Sequence, residues 1–448
     1  MTDTLAPLTD AILQAAMRAG ADHADAIAVD GTSLSIEVLN GKLEQAERAE
    51  GVEIGLRVLI GRQQACVSAS DTKPETLAEM AERAVAMARL APEDPTVGLA
   101  DPDQLSKIRD GGALDMVDGT ADPDPAMLED MALRAEAAAL GVDGISQVQS
   151  AAAGFSRRLI HLAASNGFSG GYARSDHGLS CVAITGDGTG MERDYFGDGR
   201  NHAADLMSPE EVGRIAAERT IARAGARKPP TGAFPVMYDE RISSSLIGHL
   251  LAASNGSSIV RGSSWLRDAL GDQILPKGLD LIEDPHRPRT SGSKPFDAEG
   301  LPTSSRKIID DGMLTGWTLD LATARKLGMV STGNASRGTS APPSPSVGNV
   351  ALTQSDHSPD ALLSEMGTGL LITSMIGSSI NPTTGDYSRG ASGFWVENGE
   401  ITYPVNECTV AGNLRDMLGT IRPANDARAH LSRVVPSLLV EGLTIAGA

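Results

Sequence analysis

The strongest chemical candidates in the sequence are Ser244, Ser245 and His249, which lie together in residues 241–257, RISSSLIGHLLAASNGS. Apolar residues recur there at helical spacing, at positions 242, 246, 250 and 253, so the segment is predicted to be an amphipathic helix. We expect serine hydroxyls in its first turn to cap free amides, and Asn255-Gly256 to end it in a left-handed conformation. Two chemistries deserve testing against this helix: zinc-dependent hydrolysis and serine hydrolysis.

A zinc site fits this helix poorly. A hydrolytic zinc ion takes three nitrogen, sulfur or carboxylate ligands and a water, with a carboxylate base beside it. Serine is not a normal zinc ligand, Ser245 cannot replace a glutamate as proton acceptor, and His249 alone cannot hold the ion. We therefore predict no metal and no catalytic residue in this chain, and interpret His249 as a hydrogen-bonded or partner-facing side chain.

Serine hydrolysis is the alternative, because Ser245 and His249 are four residues apart and share a helix face. The segment has no G-x-S-x-G turn to expose the serine. Serines inside helices also tend to bond back to the carbonyl four residues earlier. An autonomous hydrolase that uses Ser245 and His249 remains an open alternative at this point.

Two further clusters have simpler interpretations. Residues 186–190, GDGTG, lack the Lys-Ser/Thr pair of a phosphate loop and are predicted to form a turn between strands. Glu192, Asp194 and Asp198 lack the ligand spacing of a calcium loop and are predicted to lie in a solvated loop.

Composition excludes several classes of protein. With 448 residues the chain has room for two or three domains, and 3% aromatic residues imply an aliphatic core. A net charge of −20 repels a phosphate backbone, so direct nucleic-acid binding is not expected. No run approaches the roughly 18 apolar residues of a membrane span, and the first residues do not resemble a secretory signal. Three widely spaced cysteines indicate a reducing compartment, so we expect a cytoplasmic protein.

The periodicity predicts an α+β fold. Helices are predicted at residues 5–19, 74–90, 127–140 and 209–224, the last capped by Ser208. Strands are predicted at residues 22–30, 33–49, 51–70, 148–155, 159–164, 169–175 and 179–186, with glycine at the turns and a hairpin at Asn166-Gly167. Residues 91–124, rich in Pro, Asp and Gly, are predicted to be a surface loop or linker.

Beyond the boundary KPPTG at residues 228–232 the pattern changes to strands and loops. Candidate strands are residues 233–238, 273–282, 305–309, 315–318, 370–376, 393–397, 401–404 and 436–448. We therefore predict an N-terminal α+β domain of helices and antiparallel strands at residues 1–225. A C-terminal β-rich domain, carrying the pivotal helix, is predicted at residues 232–448.

Longer blocks of sequence carry a resemblance that covers most of the chain. They are SSSLIGHLLAASNGSSIVRGSSWLRDALG, LPTSSRKIIDDGMLTGWTLDLATARKLG, STGNASRG, INPTTGDYSRGASGFWVENGEITYPVNECTVAGN and LLVEGLTIAGA. In this order they resemble the TldD/PmbA (TldE) family, and the PmbA/TldE branch more closely. The TldD branch carries HExxxH on the pivotal helix. Here Ser244 stands at the first histidine, Ser245 at the glutamate and His249 at the second histidine, and residues 422–437 lack the branch's later cysteine ligand.

The resemblance implies a heterodimer of this chain, as a non-catalytic subunit, with a TldD-like subunit that holds zinc. Together they would form a cytoplasmic metallopeptidase acting on unfolded or extended peptides; a homodimer is also possible. Residues 332–334 and 385–387 would be walls of the peptide cavity or interface. Family members are also linked to modulation of DNA gyrase inhibition, so a gyrase-modulating binding protein without a peptidase role remains an alternative.

Overall fold

The computed structural model describes residues 4–447. Residues 1–3, and Ala448 at the end of the predicted closing strand, lie outside that range. The helices are α1 (Ala6–Arg18), α2 (Pro74–Leu90), α3 (Pro125–Leu140), α4 (Pro209–Ile221), α5 (Glu240–Ala253), α6 (Gly256–Val260), α7 (Leu321–Leu327), α8 (Pro359–Met366) and α9 (Leu414–Gly419). In residues 4–447 we find no helix with the length and apolarity that a bilayer crossing requires.

The strands fall into two large sheets and two small ones. Strands of the first half are β1 (His23–Leu39), β2 (Lys42–Ile60), β3 (Gln63–Ala69), β4 (Ile145–Ala164), β5 (Ser169–Thr185) and β6 (Glu192–Arg200). Those of the second half are β7 (Gly232–Tyr238), β8 (Leu281–Glu283), β9 (Arg306–Asp310), β10 (Met313–Leu314), β11 (Ala335–Ser336), β12 (Ser344–Pro345), β13 (Val350–Leu352), β14 (Gly369–Ile380), β15 (Asp386–Glu397), β16 (Glu400–Asn413), β17 (Arg422–Pro423), β18 (Arg433–Val434) and β19 (Leu438–Ala446).

The first sheet has the order β3-β2-β1-β4-β5-β6 and is antiparallel throughout. Ala24 and Ala26 of β1 pack in the core under α1 and α2, and Ile36 packs in the core under α3 and α4. Because alternate residues of a strand share a face, all four helices cover one face of the sheet. On the other face, Ile27 packs with Phe296 of the second half.

The strands of this sheet are longer than predicted, and four predicted breaks, at residues 31–32, 50, 156–158 and 176–178, are wrong. Gly31 and Gly51 were expected at turns, but they lie directly opposite each other in the middle of the β1–β2 ladder. The chain instead turns at Asn40-Gly41, where both residues have positive φ. Residues 145–164 and 169–185 also form one strand each, joined at the predicted Asn166-Gly167 hairpin.

The second half is built on a six-stranded sheet of order β16-β15-β14-β7-β19-β17 and a five-stranded sheet of order β10-β9-β8-β13-β18. The prediction of an α+β fold is confirmed, with β-rich structure after residue 231. Residues 273–280 and 315–318 were wrongly predicted as strand. In the first segment the N–H groups of Ile274 and Leu275 both donate to Gly312 O, and the chain then turns at residues 276–279 instead of continuing a ladder. The division of the chain into domains at residues 225–232 stays a prediction.

Residues 91–124 were predicted as a surface loop or linker, but the segment is tied to both halves. Ser106 N–H donates to Gly300 O at 2.9 Å, and the Arg325 guanidinium donates to the carbonyls of Thr96 and Leu99. Asp118 bonds to Ala203 N–H and lies 3.4 Å from His177 Nε2. The segment therefore holds the first sheet against the second half.

A buried ionic cluster makes the same connection on the other face of the sheet, which the second half covers. Asp25 on β1 is only 3% exposed and accepts from Arg57 Nε at 2.7 Å. Arg337, from the second half, also donates to Asp25. Burial alone would raise the pKa of Asp25, but the two guanidinium groups outweigh it and the pKa is lowered.

We expect Asp25→Asn to lower the free energy of unfolding by about 3–5 kcal/mol, since it leaves two buried guanidinium groups without their carboxylate. Urea unfolding at neutral pH measures this. The matched control is Asp130→Asn in the exposed pair with Arg134, where the expected change is below about 0.5 kcal/mol. Equal effects of the two substitutions would contradict the role assigned to Asp25.

Asp118 should make stability depend on pH. Burial raises its pKa, but the N–H groups of Thr120 and Ala203 and the nearby His177 outweigh burial and lower the pKa from 3.8 to about 2. A carboxyl with a lowered folded-state pKa contributes stability above its unfolded pKa and loses that contribution on acidification.

We therefore expect the free energy of unfolding of the wild-type chain to be larger than that of Asp118→Asn by roughly 2 kcal/mol at pH about 6. At pH about 3 the difference should be about half as large. Unfolding curves across this range measure the difference. Asp122→Asn, in the more exposed pair with Arg157, is the control and should show no such trend. A pH-independent difference for Asp118→Asn would exclude the charge as its cause.

Candidate functional site

Helix α5 starts and ends differently from the prediction. The N-cap is Asp239, whose carboxylate accepts from Arg241 N–H at 3.0 Å. Ser243 does not cap the helix; its hydroxyl donates to the carbonyls of Glu240 and Val435, each at 3.3 Å. The helix ends at Ala253, and Asn255, with φ of −72°, caps α6 instead of taking the left-handed conformation.

The predicted apolar face of α5 is confirmed. Leu246, Leu250 and Ala253 are buried, and the helix packs against β14. Ser244, Ser245 and His249 lie on the remaining, half-buried part of the helix. The backbone that carries these three polar side chains is therefore held in place by the packing of the apolar face.

His249 faces an aromatic and sulfur-containing wall. Its ring lies edge-to-face with Tyr387, with centroids 5.9 Å apart, and the Tyr387 hydroxyl donates to Met375 Sδ at 3.2 Å. His249 Nε2 is buried and has no hydrogen-bond partner within residues 4–447. Burial, and then the positive charge of Arg389, lower the pKa of His249, so the imidazole is neutral at pH 7.

Ser245 shares the helix face with His249, but they form no hydrogen bond in the described structure. Ser245 Oγ is buried without a partner. Nucleophile activation requires the serine hydroxyl within hydrogen-bond reach of its base. In this geometry Ser245 is therefore not activated as a nucleophile, and His249 is not positioned as its base.

The donors around His249 do not fit a zinc ion. Nowhere in the described part of the chain do three His, Cys, Asp or Glu side chains group so that they could hold a metal. Arg389 lies close enough to depress the pKa of His249, and Arg433 crosses α5 at Gly248, where a Cβ would meet its Nη1 at 3.0 Å. The guanidinium group of Arg389, close to the imidazole of His249, repels a divalent cation.

A groove of about 730 Å³ runs between β6, the edge strand of the first sheet, and strands β14–β16. Its rim carries three large apolar side chains that remain exposed, Met191, Tyr195 and Ile376. Met375 lines the same groove, so its contact with Tyr387 connects the groove to His249. Residues 186–190 form the predicted turn beside it, between β5 and β6.

One wall of the groove is a charged network that the sequence analysis missed. Asp194 is buried on β6, and its carboxylate lies 3.2 Å from Arg241 Nη1 and 3.8 Å from Arg223 Nη1. Glu192 accepts from Asn406 Nδ2 at 2.6 Å. The prediction that residues 192–198 form a solvated loop is wrong, because Arg223, just after α4, and Arg241 of α5 lie against this strand.

The two segments predicted to line the peptide cavity, residues 332–334 and 385–387, lie in different parts of the fold. Tyr387 contacts His249, as described above. Residues 332–334 lie elsewhere: Thr332 accepts from Leu319 N–H, and Asn334 donates to Glu283 at 2.7 Å. Arg389 was not singled out from the sequence; its position two residues after Tyr387, on the same face of a strand, was the available signal.

Three family models match successive parts of the chain. They are PmbA/TldA metallopeptidase domain 1 at residues 24–88, the central domain at residues 118–224 and the C-terminal domain at residues 231–447. Metalloprotease PmbA of Escherichia coli O157:H7 is 37% identical, over 95% of this chain and 92% of its own. The Metalloprotease PmbA homolog of Haemophilus influenzae is 35% identical, over 97% and 94%.

Solved structures share the fold over nearly the whole length. A Bacteroides thetaiotaomicron protein, described as a candidate modulator of DNA gyrase, superposes with a TM-score of 0.91 at 26% identity, covering 99% of this chain and 98% of that one. TldE from Thermococcus kodakarensis superposes with a TM-score of 0.85 at 20% identity, covering 98% and 100%, a likeness of fold alone. Since the matched models span most of its length and a relative is 37% identical over 95% of it, the chain belongs to the PmbA/TldD metallopeptidase family.

Proposed function

We propose that this chain is a TldE-like, non-catalytic subunit of a two-chain zinc metallopeptidase that degrades or processes unfolded peptides. A TldD-like partner would hold the zinc ion and carry the catalytic groups. The observation that carries the proposal is the composition of α5, which keeps His249 and has serine at positions 244 and 245. The PmbA relatives support the metallopeptidase role.

The surroundings of His249 support the loss of a metal site. A zinc ligand needs its nitrogen aimed at further anionic or neutral donors. His249 instead has Tyr387 against its ring and the cationic Arg389 nearby. Restoring the two missing side chains would still leave a positive charge beside the ion, so several changes separate this helix from a working site.

The groove along β6 suits a role in holding peptide. An extended peptide can add to the edge of a sheet through main-chain hydrogen bonds, which recognise shape more than sequence. Met191, Tyr195 and Ile376 offer exposed apolar contacts on both walls of the groove. In the proposed complex this chain supplies one side of the peptide chamber, and the partner supplies the metal.

The autonomous serine hydrolase is less well supported, because Ser245 and His249 make no hydrogen bond with each other. A gyrase-modulating role without peptidase function is favoured only by the description of the Bacteroides relative. The net charge of −20 opposes direct contact with DNA in either case.

The cysteines support a cytoplasmic setting for the complex. Cys66, Cys181 and Cys408 are all free. Burial raises the pKa of Cys181 to about 12 and that of Cys408 to about 11, so both stay protonated and unreactive. A chain with free, unreactive thiols and no disulfide between them suits a reducing compartment.

We expect the purified chain to bind no stoichiometric zinc and to cleave no unfolded peptide, because α5 lacks two of three zinc-site side chains. Mixed with a TldD-like subunit, it should form a complex of greater mass that cleaves the same peptide. Metal analysis, native mass spectrometry and chromatographic detection of the products measure this. Tightly bound zinc together with peptide cleavage by the lone chain would overturn the proposal.

We expect Ser245→Ala to leave peptide cleavage by the complex unchanged and not to lower the free energy of unfolding. The hydroxyl is buried without a partner, a state that costs roughly 1–3 kcal/mol. Ser243→Ala is the matched control, since its hydroxyl does form hydrogen bonds, and it should lose about 1 kcal/mol. Covalent labelling of Ser245 by a serine-directed inhibitor would instead favour the hydrolase alternative.

A further inference from the structure

The outer side of β2 is an open sheet edge over much of its length. β1 pairs with β2 from Lys42 to Leu59, but β3 covers only Ile54–Ile60 on the other side. No other strand of the described chain pairs with residues 42–53. All of these residues are exposed except Val52, which is half-buried. An unpaired edge presents free N–H and C=O groups that can pair with another strand.

The regular part of this edge is residues 45–53. At one end a β-bulge inserts Glu44, since Leu43 pairs with Val38 and Gln45 pairs with Glu37. At the other end Ile54 pairs with Ala69 of β3. Nine residues, about 30 Å of strand, therefore remain available for continuous pairing.

The pleat restricts how a second copy could pair here. In an antiparallel pair related by a twofold axis, opposite residues must point their side chains to the same face and their backbone groups in matching directions. A one-residue slip breaks both conditions, so the axis must pass through a residue rather than between two.

The charges then select one centre. An axis at residue 47, 48 or 50 places a charged residue of one copy directly opposite the same residue of the other copy, and like charges repel. An axis at residue 46 or 51 pairs only a short part of the regular edge. An axis at Ala49 pairs all nine residues, places Arg48 opposite Glu50 twice, and places Gln45 opposite Glu53.

We propose that residues 45–53 of β2 form a self-association surface, at which two copies of this chain pair antiparallel about a twofold axis at Ala49. The surface lies on the opposite edge of the first sheet from β6. This inference goes beyond the proposed function and does not depend on it.

Sedimentation velocity of the full-length chain, at roughly 1–100 µM, tests for the dimer, since an interface of one strand pair associates weakly. Glu50→Arg puts arginine opposite Arg48 at two places and should raise the dissociation constant about tenfold. The exchange variant Arg48→Glu with Glu50→Arg restores opposite charges and should recover dimerisation. Glu218→Arg, at an exposed position of α4, makes the same change of net charge and should have no effect.

Disulfide trapping tests the register. Ala49→Cys brings two copies of residue 49 opposite each other, at the Cα spacing of a disulfide, so oxidation should give a covalent dimer. Lys42→Cys, seven residues from the axis, should not crosslink. Circular dichroism verifies that the variants are folded.

A chain that stays monomeric at the highest concentration, or a dimer that Ala49→Cys does not trap, overturns the proposal. So does crosslinking of Ala49→Cys to a TldD-like subunit in preference to itself. Peptide cleavage with the TldD-like subunit is measured separately in the Glu50→Arg variant. If Glu50→Arg loses self-association but retains peptide cleavage, the self-association of this chain and its proposed role in the peptidase are independent.

Discussion

The position of α5 against the first sheet depends on one buried carboxylate, Asp194. It lies on β6 of the first half and contacts Arg241 at the start of α5 and Arg223 beyond the end of α4. A buried charge is costly unless it is paired, so few arrangements of these three elements satisfy all three groups. Any rotation of α5 that separated Arg241 from Asp194 would leave a carboxylate buried without its closest partner. The cluster therefore specifies geometry more than it adds net stability.

This constraint keeps α5 in place without any contribution from the polar side chains at positions 244, 245 and 249. The apolar side of α5, with Leu246 and Leu250, packs against the second sheet, and its first turn is held by Asp239 and Asp194. Neither set of contacts uses Ser244, Ser245 or His249. Changes at these positions are free to alter chemistry without altering the fold.

The parts of the structure that local patterns determine could be predicted from the sequence. The apolar spacing on α5 and the Asn166-Gly167 hairpin depend on neighbouring residues, and both are found where expected. The turns of β1 and β2 could not be placed, because Gly31 and Gly51 look like turn residues until their pairing is known. The buried acids were missed for a similar reason. Asp194 is satisfied by Arg241, 47 positions away, and Asp25 by Arg337, 312 positions away.

The two edges of the first sheet illustrate why charged strands cannot be interpreted from sequence alone. Both β6 and the free part of β2 are rich in charged residues, a composition that suggests exposure to solvent. On β6 the acids are paired within the chain by Arg223, just after α4, and by Arg241 of α5, and the edge forms one side of a groove. On β2 the structure shows one pair, Arg48 with Glu50, formed along the strand itself. Charged side chains are thus paired inside the fold on one edge and face solvent on the other. The difference depends on whether a helix lies over the strand.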